Sequence, residues 1–248
     1  MKTQLSLAVL LLSAGVQATP VQIDGGWFKS PVLLDADVSE IYIKPFRLDS
    51  TAVTNADFLQ FVQQQPQWQR GQVPAIFADS NYLRHWAEAQ LPGDGNAAPD
   101  RPVTYVSWFA ARAYCEAQGG RLPTLNEWEY VSATIRSQDQ ISDSQYARSV
   151  FGWYSRPGAE QLKAVTSGQP GSTGIYNLHG LVNEWVEDFQ LLMTNGDDAD
   201  ALSGSCGDTA RFMAEYDSAH YATFLRYQSR SNYIPQNTTS TSGFRCAY

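Results

Sequence analysis

The sequence has few histidines, few cysteines, few basic residues and no long apolar run. No window approaches the roughly 18 uncharged apolar residues that a transmembrane helix needs, so we predict no membrane span. Only 17 Lys and Arg stand against 25 Asp and Glu, a net charge of −8, and no basic run of the kind that follows phosphates is present. Nucleic acid and anionic membrane surfaces are therefore poor candidate partners. A Gly-rich phosphate loop and a nucleophile elbow are also missing.

The first 18 residues have the three parts of a secretory signal. Lys2 is followed by an apolar run over residues 5–12 and by the small-residue end Val16-Gln17-Ala18. This pattern predicts a signal peptide over residues 1–18 and a periplasmic or secreted mature protein. Residues 19–248 contain no internal repeat and no low-complexity linker, which favours a single domain.

The three cysteines are Cys115, Cys206 and Cys246. In an oxidising compartment we expect one disulfide-bonded pair and one remaining cysteine. The residues alone do not indicate which cysteine remains, and a single cysteine is often a small buried hydrophobic residue.

Local patterns predict regular elements in the first part of the chain. Apolar and polar residues alternate over residues 41–46, which predicts a strand. Thr54 and Asp57 have the spacing of a capping box, so we expect a helix with Phe58 on its buried face. Residues 64–101 are rich in Gln, Pro, Gly, Asn and Asp and are expected to be mostly loop.

The middle of the chain has the most regular pattern. Residues 102–106 read as a strand, and Ser107 as the N-cap of a helix that carries Cys115 on one face. Thr124 begins another capping box and a second helix. After residue 136 we expect short strands and long loops, with a helical period only around residues 211–215.

Five segments carry a resemblance to one known family, and they occur in that family's order. They are VTN with a following Phe at residues 53–58, PVTYVSWFAARAYC at 102–115, RLPTLNEWEY at 121–130, GIYNLHGLVNEW at 174–185 and SGFRC at 242–246. Together they resemble the formylglycine-generating enzymes, also called sulfatase-modifying factors. The resemblance covers nearly the whole mature chain and identifies it as a divergent member.

The resemblance implies an α+β fold related to C-type lectins, with little regular secondary structure. It also implies a disulfide between Cys115 and Cys246, which would leave Cys206 free. Such a bridge would connect the C-terminal end of the chain to the central helix and restrict the unfolded chain.

A calcium site is implied by the same resemblance. Asn177, Gly180, Val182 and Glu184 occupy the positions of the family's calcium ligands. An amide oxygen, two backbone carbonyls and a carboxylate are hard oxygen ligands, as calcium prefers. The alternative is that Asn177 only caps a turn and that Glu184 is a solvated charge. Two neighbouring positions depart from the family pattern, Leu181 and Asn183.

The copper chemistry of the family does not transfer to this chain residue by residue. The family's enzymes hold copper with two cysteine thiolates, which suit Cu(I) because both are soft. An ungapped alignment of the final segment places Asp217 and Ala222 at those two positions. Cys206 could serve as a single copper ligand or redox thiol, or it could be an incidental buried cysteine.

Iron sites are not indicated either. The related iron-dependent sulfoxide synthases use three histidines, whereas His85, His179 and His220 are widely spaced here and do not follow that pattern. We interpret His85 as a surface or packing residue and His179 as a packing or hydrogen-bonding group.

Three hypotheses for function follow, in order of preference. The first is an exported accessory protein that recognises another exported protein or peptide client, for example a metalloenzyme during its maturation. A broader version of this hypothesis adds modification of the client. The second is a protein-cysteine oxidase with a metal site rebuilt around Cys206, so that any enzyme activity would be that of an oxidoreductase. The third is a calcium-dependent lectin-like binding module. Aromatic side chains that could line a client groove are Tyr216, Tyr221, Phe224, Tyr227 and Tyr233.

Overall fold

The computed structural model describes residues 18–30, 40–90, 92–156, 161–189, 217–231 and 233–248. Within these residues, five α-helices and six short strands alternate with long irregular segments. The helices are α1 Asn55–Gln64, α2 Trp108–Ala117, α3 Leu125–Gln138, α4 Asp143–Tyr154 and α5 Ser218–Ser231. The strands are β1 Pro20–Ile23, β2 Gly26–Phe28, β3 Ile41–Ile43, β4 Phe46–Asp49, β5 Asn183–Glu184 and β6 Ser242–Gly243. This mixture confirms the predicted α+β class with little regular structure.

The described strands form three two-stranded sheets. β1 pairs antiparallel with β4, β2 pairs antiparallel with β3, and β5 pairs parallel with β6. Residues 41–46, predicted as one strand, are divided between β3 and β4. The break falls at Pro45, whose nitrogen has no hydrogen to donate to a ladder, and each half then pairs with a different partner strand.

Capping residues begin the three helices that the sequence predicted. Thr54 caps α1 in a full capping box with Asp57, and Thr124 caps α3 in one with Glu127. The Ser107 side chain accepts a hydrogen bond from the backbone N–H of Ala110 at the start of α2. Each cap satisfies backbone donors that the first turn of a helix leaves unpaired, so these starts are encoded locally.

Residues 102–106 do not form the predicted strand. They make only an isolated bridge, between Thr54 and Pro102, and Tyr105 has a positive φ of 53°. The backbone N–H of Val103 donates to Val53, whereas that of Tyr105 donates to Thr239. Because its hydrogen bonds go to separate segments, this stretch belongs to no sheet. Residues 64–101 are mostly turns, as predicted, with two short 3₁₀ helices.

The expectation of loops after residue 136 is wrong for two segments, because α4 and α5 are regular helices. Ser142 caps α4 in a capping box with Gln145. The buried face of α4 packs against α5, and the hydroxyl of Tyr146 lies 2.9 Å from that of Thr223. The helical period predicted around residues 211–215 lies outside the described residues, as does most of the predicted signal peptide.

One main core unites the first helices with the C-terminal segment. Its largest fully buried side chains include Phe58, Trp86, Trp128 and Phe244. His85 packs beside the ring of Tyr105, as a packing residue would. Burial, aided by the charge of Arg70, lowers the pKa of His85 to about 4. His85 is therefore neutral under ordinary conditions.

The last residues of the chain lie against β4. The backbones of Arg47 and Tyr248 exchange two hydrogen bonds, and the Asp49 N–H donates to the Cys246 carbonyl. Burial raises the pKa of the Asp49 carboxyl to about 7, although the N–H of Cys246 donates to it. The disulfide between Cys115 and Cys246, with Cα atoms 5.5 Å apart, joins this C-terminal segment to α2. These are the two cysteines that the family resemblance pairs.

None of the helices in the described ranges combines the length and the apolar character required to cross a bilayer.

Candidate functional site

The candidate site is built on the segment of residues 174–185, which bends three times before it enters β5. Gly174, Asn177 and Gly180 all have positive φ, at 82°, 47° and 88°. Glycine adopts this region freely, and asparagine tolerates it better than most residues. The segment then runs beside β6, because the N–H of Asn183 donates to Thr241 and that of Trp185 to Gly243.

A buried ion pair fixes this segment to the C-terminal strand. The Arg245 guanidinium donates from Nη2 to Glu184 Oε1 at 2.8 Å and from Nε to Oε2 at 2.9 Å, and both side chains are fully buried. Trp128 Nε1 donates to the same Oε2 at 2.8 Å. The remaining Arg245 donors reach the carbonyls of Asp49 and Tyr176. Glu184 is therefore a paired internal charge and is not solvated.

The implied calcium ligands fit a cation only in part. Asn177 directs Nδ2 to the carbonyls of Val165 and Ser167, which leaves its Oδ1 as the atom that could bind a metal. Glu184 fits poorly, because two N–H groups of Arg245 and one of Trp128 donate to its two oxygens and occupy most of its acceptor sites. Its charge is also neutralised within the protein. In this geometry Glu184 would have to release Arg245 before it could bind calcium.

A cavity of about 520 Å³ opens beside the same segment. One wall is the C-terminal end of α4, where Trp153 Nε1 donates to the Asn183 side chain at 3.2 Å. The other walls are residues 161–168, the bend at Gly180 and residues 240–241. Asn183, one of the two departures from the family motif, thus lies at the cavity wall. The size is typical of sites for small ligands or single side chains of a peptide.

Aromatic and cationic groups lie in the protein interior next to His179, which lines the cavity. The ring of His179 lies edge-on to those of Trp128 and Tyr146, with centroids 5.2 and 5.7 Å away, and its Nε2 is 2.9 Å from the Ser132 hydroxyl. This is the packing and hydrogen-bonding role predicted for His179. Further below, Arg226 of α5 is buried on the face of Trp128.

Arg226 forms the second buried ion pair of this region. It donates to the Glu129 carboxylate and to the Tyr146 hydroxyl. Burial lowers the pKa of Arg226, but the charge of Glu129 and the bond to Tyr146 outweigh that effect and raise it. The guanidinium therefore stays charged and holds α3, α4 and α5 together.

Comparison with known proteins identifies the family. Residues 14–248 match the family described as sulfatase-modifying factor enzyme 1-like domain. The chain belongs to this family. A similar protein is the inactive C-alpha-formylglycine-generating enzyme 2 of Bos taurus, 28% identical, with 96% of this chain and 90% of that protein covered. The formylglycine-generating enzyme of Streptomyces coelicolor is 26% identical, with 86% and 81% covered. A solved structure, PvdO from Pseudomonas aeruginosa, has a TM-score of 0.44 and 16% identity over 92% of this chain and 93% of that one.

The two positions aligned with the family's copper cysteines have structural roles in this member. Asp217 precedes α5, and its Oδ1 accepts the backbone N–H groups of Ala219 and His220 at 2.8 and 2.9 Å. The hydrogen bond from the backbone N–H of His220 is the main cause that lowers the pKa of Asp217, and that of Ala219 adds to it. Ala222 is fully buried and packs in the cluster of α4 and α5 that includes Tyr146.

The cysteines limit the family's copper chemistry in another way. Only three are present in the whole chain, and the disulfide uses Cys115 and Cys246. Cys206 is the one that remains, and it lies outside the described residues. With the disulfide intact, a site made of two thiolates from one chain cannot form. In the described part of the chain, no three His, Cys, Asp or Glu side chains group as metal ligands would.

The five aromatic residues predicted to line a client groove do not share one surface in the structure. Phe224 and Tyr227 are core residues with 1% of their surface exposed, whereas Tyr221 is 44% exposed. The ring of Tyr233 packs edge-on against that of Trp185, with centroids 5.4 Å apart, and Tyr216 lies outside the described residues. Sequence reasoning missed Trp153, which lines the cavity together with Tyr154. The capping box at residues 142–145 was the signal that could have placed it on a helix.

Proposed function

We propose that this chain is an exported protein of the sulfatase-modifying type that recognises a client polypeptide in the cavity beside residues 177–183. The observation that supports this most is the position of the cavity. It opens at the motif that identifies the family and is bounded by polar and aromatic side chains that a peptide could contact. Family members act on other proteins, which favours a polypeptide occupant.

Recognition without the two-thiolate copper site is the form of this proposal that the cysteines favour. The disulfide leaves one cysteine, Cys206, and a single thiolate provides half of the ligand set that holds Cu(I) in the family. The similar bovine protein is itself named an inactive formylglycine-generating enzyme. A family member without the enzyme activity therefore has a precedent. Maturation of a metalloenzyme client remains part of this proposal.

In this proposal calcium would be bound by Asn177 Oδ1 and by the backbone carbonyls of Gly180 and Val182. Glu184 would join them only by exchanging Arg245 for the ion. If calcium orders this segment, client binding should depend on it, as the lectin-like alternative requires.

A photo-crosslinking amino acid introduced into the full chain tests the client site. Gln161 is an exposed residue at the cavity, and Lys44 is an exposed residue between β3 and β4, away from it. We expect irradiation of cells that carry the Gln161 variant to give one discrete adduct with an exported protein, identified by mass spectrometry. The Lys44 variant should give none.

Equal adducts at both positions, or none at Gln161, would contradict the proposal. A repeat with a calcium chelator distinguishes the alternatives. An unchanged adduct supports recognition by the cavity itself, and an adduct that disappears supports the calcium-dependent binding module.

A further inference from the structure

We infer that the cavity beside residues 177–183 selects a ligand that carries a carboxylate next to a flat apolar group. This inference rests on the proposed function, because it names the chemistry of the client segment bound there. For a polypeptide client, the group would be an acidic side chain beside an aromatic one.

The described residues that line the cavity carry a charge opposite to that of the whole chain. The protein has a net charge of −8, yet the described residues that line the cavity include Arg156 and Lys163 and no Asp or Glu. A concave wall with charge of one sign raises the local concentration of counter-ions. In an acidic protein, this is a local preference for an anion.

The two buried carboxylates described in this region, Glu184 and Glu129, do not cancel that preference. Glu184 is paired with Arg245, and Glu129 with Arg226, in the interior. Each pair is neutral as a unit. Neither of these two carboxylates is therefore free to neutralise Lys163 at the wall.

The two cations differ in how they are held. The Arg156 guanidinium carbon lies 5.7 Å from the centre of the Trp153 ring, which orients it by a cation–π contact. Lys163 is exposed, and no hydrogen bond or ion pair joins it to another described residue. Its ammonium group can therefore approach a ligand without breaking an existing contact.

Flat apolar surface stands next to these charges. Trp153 and Tyr154 are half-buried at the end of α4, and both line the cavity. Their rings can stack on an aromatic or other flat group, and an anion attached to that group would then face Lys163. The volume of about 520 Å³ admits such a ligand but not a folded domain.

Binding of small probes to the full chain tests this inference. Phenylacetate and phenylacetamide have the same ring and differ in charge, and the blocked dipeptides N-acetyl-Phe-Glu-amide and N-acetyl-Phe-Gln-amide differ in the same way. Affinities would be measured by NMR titration at low ionic strength, where screening is weakest. We expect each charged probe to bind at least about five times more tightly than its neutral partner.

Variants assign the effect to the cavity. Lys163→Met should weaken phenylacetate binding by about threefold to tenfold, and Lys163→Arg should restore it to within about twofold. Lys44→Met removes the same charge from an exposed position elsewhere and should leave binding unchanged. Chemical shifts of the free variants would show that each is folded.

Equal binding of charged and neutral probes, or an equal loss in Lys44→Met and Lys163→Met, would overturn the inference. Binding of phenylacetate without binding of the Glu dipeptide would keep the carboxylate site but assign it to a small acid. The polypeptide-client proposal would then fail while this inference stands. Tighter binding of the Glu dipeptide than of phenylacetate would support both.

Discussion

Replacing Arg245 with methionine should lower the free energy of unfolding by about 3–5 kcal/mol. The change removes the cation but leaves Glu184 as an uncompensated charge in the interior, with Trp128 as its remaining donor. The carbonyls of Asp49 and Tyr176 also lose the donor that satisfies them. Urea unfolding followed by tryptophan fluorescence measures the loss, since a midpoint shift at constant slope reports stability.

A matched control is available at the surface. Arg112 pairs with Glu116 at 2.9 Å, but its side chain is 46% exposed. Arg112→Met should therefore change stability by no more than about 0.5 kcal/mol. The double variant Arg245→Met with Glu184→Gln should recover part of the loss, because no charge is then left unpaired. A loss for Arg245→Met as small as that for Arg112→Met would refute the role assigned to the buried pair.

Removing the disulfide should have the second largest effect. The bridge connects residues 131 positions apart, and the double variant Cys115→Ala with Cys246→Ala should lose about 4 kcal/mol. The loss arises because the open chain gains conformational freedom when it unfolds. It is measured by urea unfolding without reductant.

The wild-type chain in dithiothreitol provides the control for this variant. Reduction should bring the wild type close to the stability of the double variant, and reductant should not affect the variant itself. If the oxidised wild type and the double variant unfold at the same urea concentration, the bridge does not stabilise this fold in solution.

Local sequence signals predicted α1, α2 and α3 because their starts are encoded in a few adjacent residues. Thr54, Ser107 and Thr124 each satisfy backbone donors within the next turn. The helices α4 and α5 were missed, although the capping box at residues 142–145 marks the start of α4, because each buries its apolar face largely against the other. Tyr146 finds its partner in Thr223, 77 positions further on, which no local pattern reveals.

Part of the candidate site could likewise be predicted from the sequence, whereas another part depends on tertiary contacts. The motif of residues 174–185 located the segment that borders the cavity, and it singled out Glu184 as a candidate calcium ligand. Its partner Arg245 is 61 positions away, so the ion pair that occupies its oxygens could not be predicted from spacing. Trp153 and Lys163 lie outside the five segments that resemble the family, and only the tertiary fold brings them to one cavity.

Copper content per chain tests the central claim most directly, namely that this family member works by recognition without the two-thiolate copper site. The mature protein with its disulfide intact would be loaded with Cu(I), desalted and measured by elemental analysis beside the Cys206→Ser variant. The account predicts copper far below one per chain and no difference between the two proteins. Copper close to one per chain that disappears in Cys206→Ser would contradict it and would indicate an oxidase site rebuilt around Cys206.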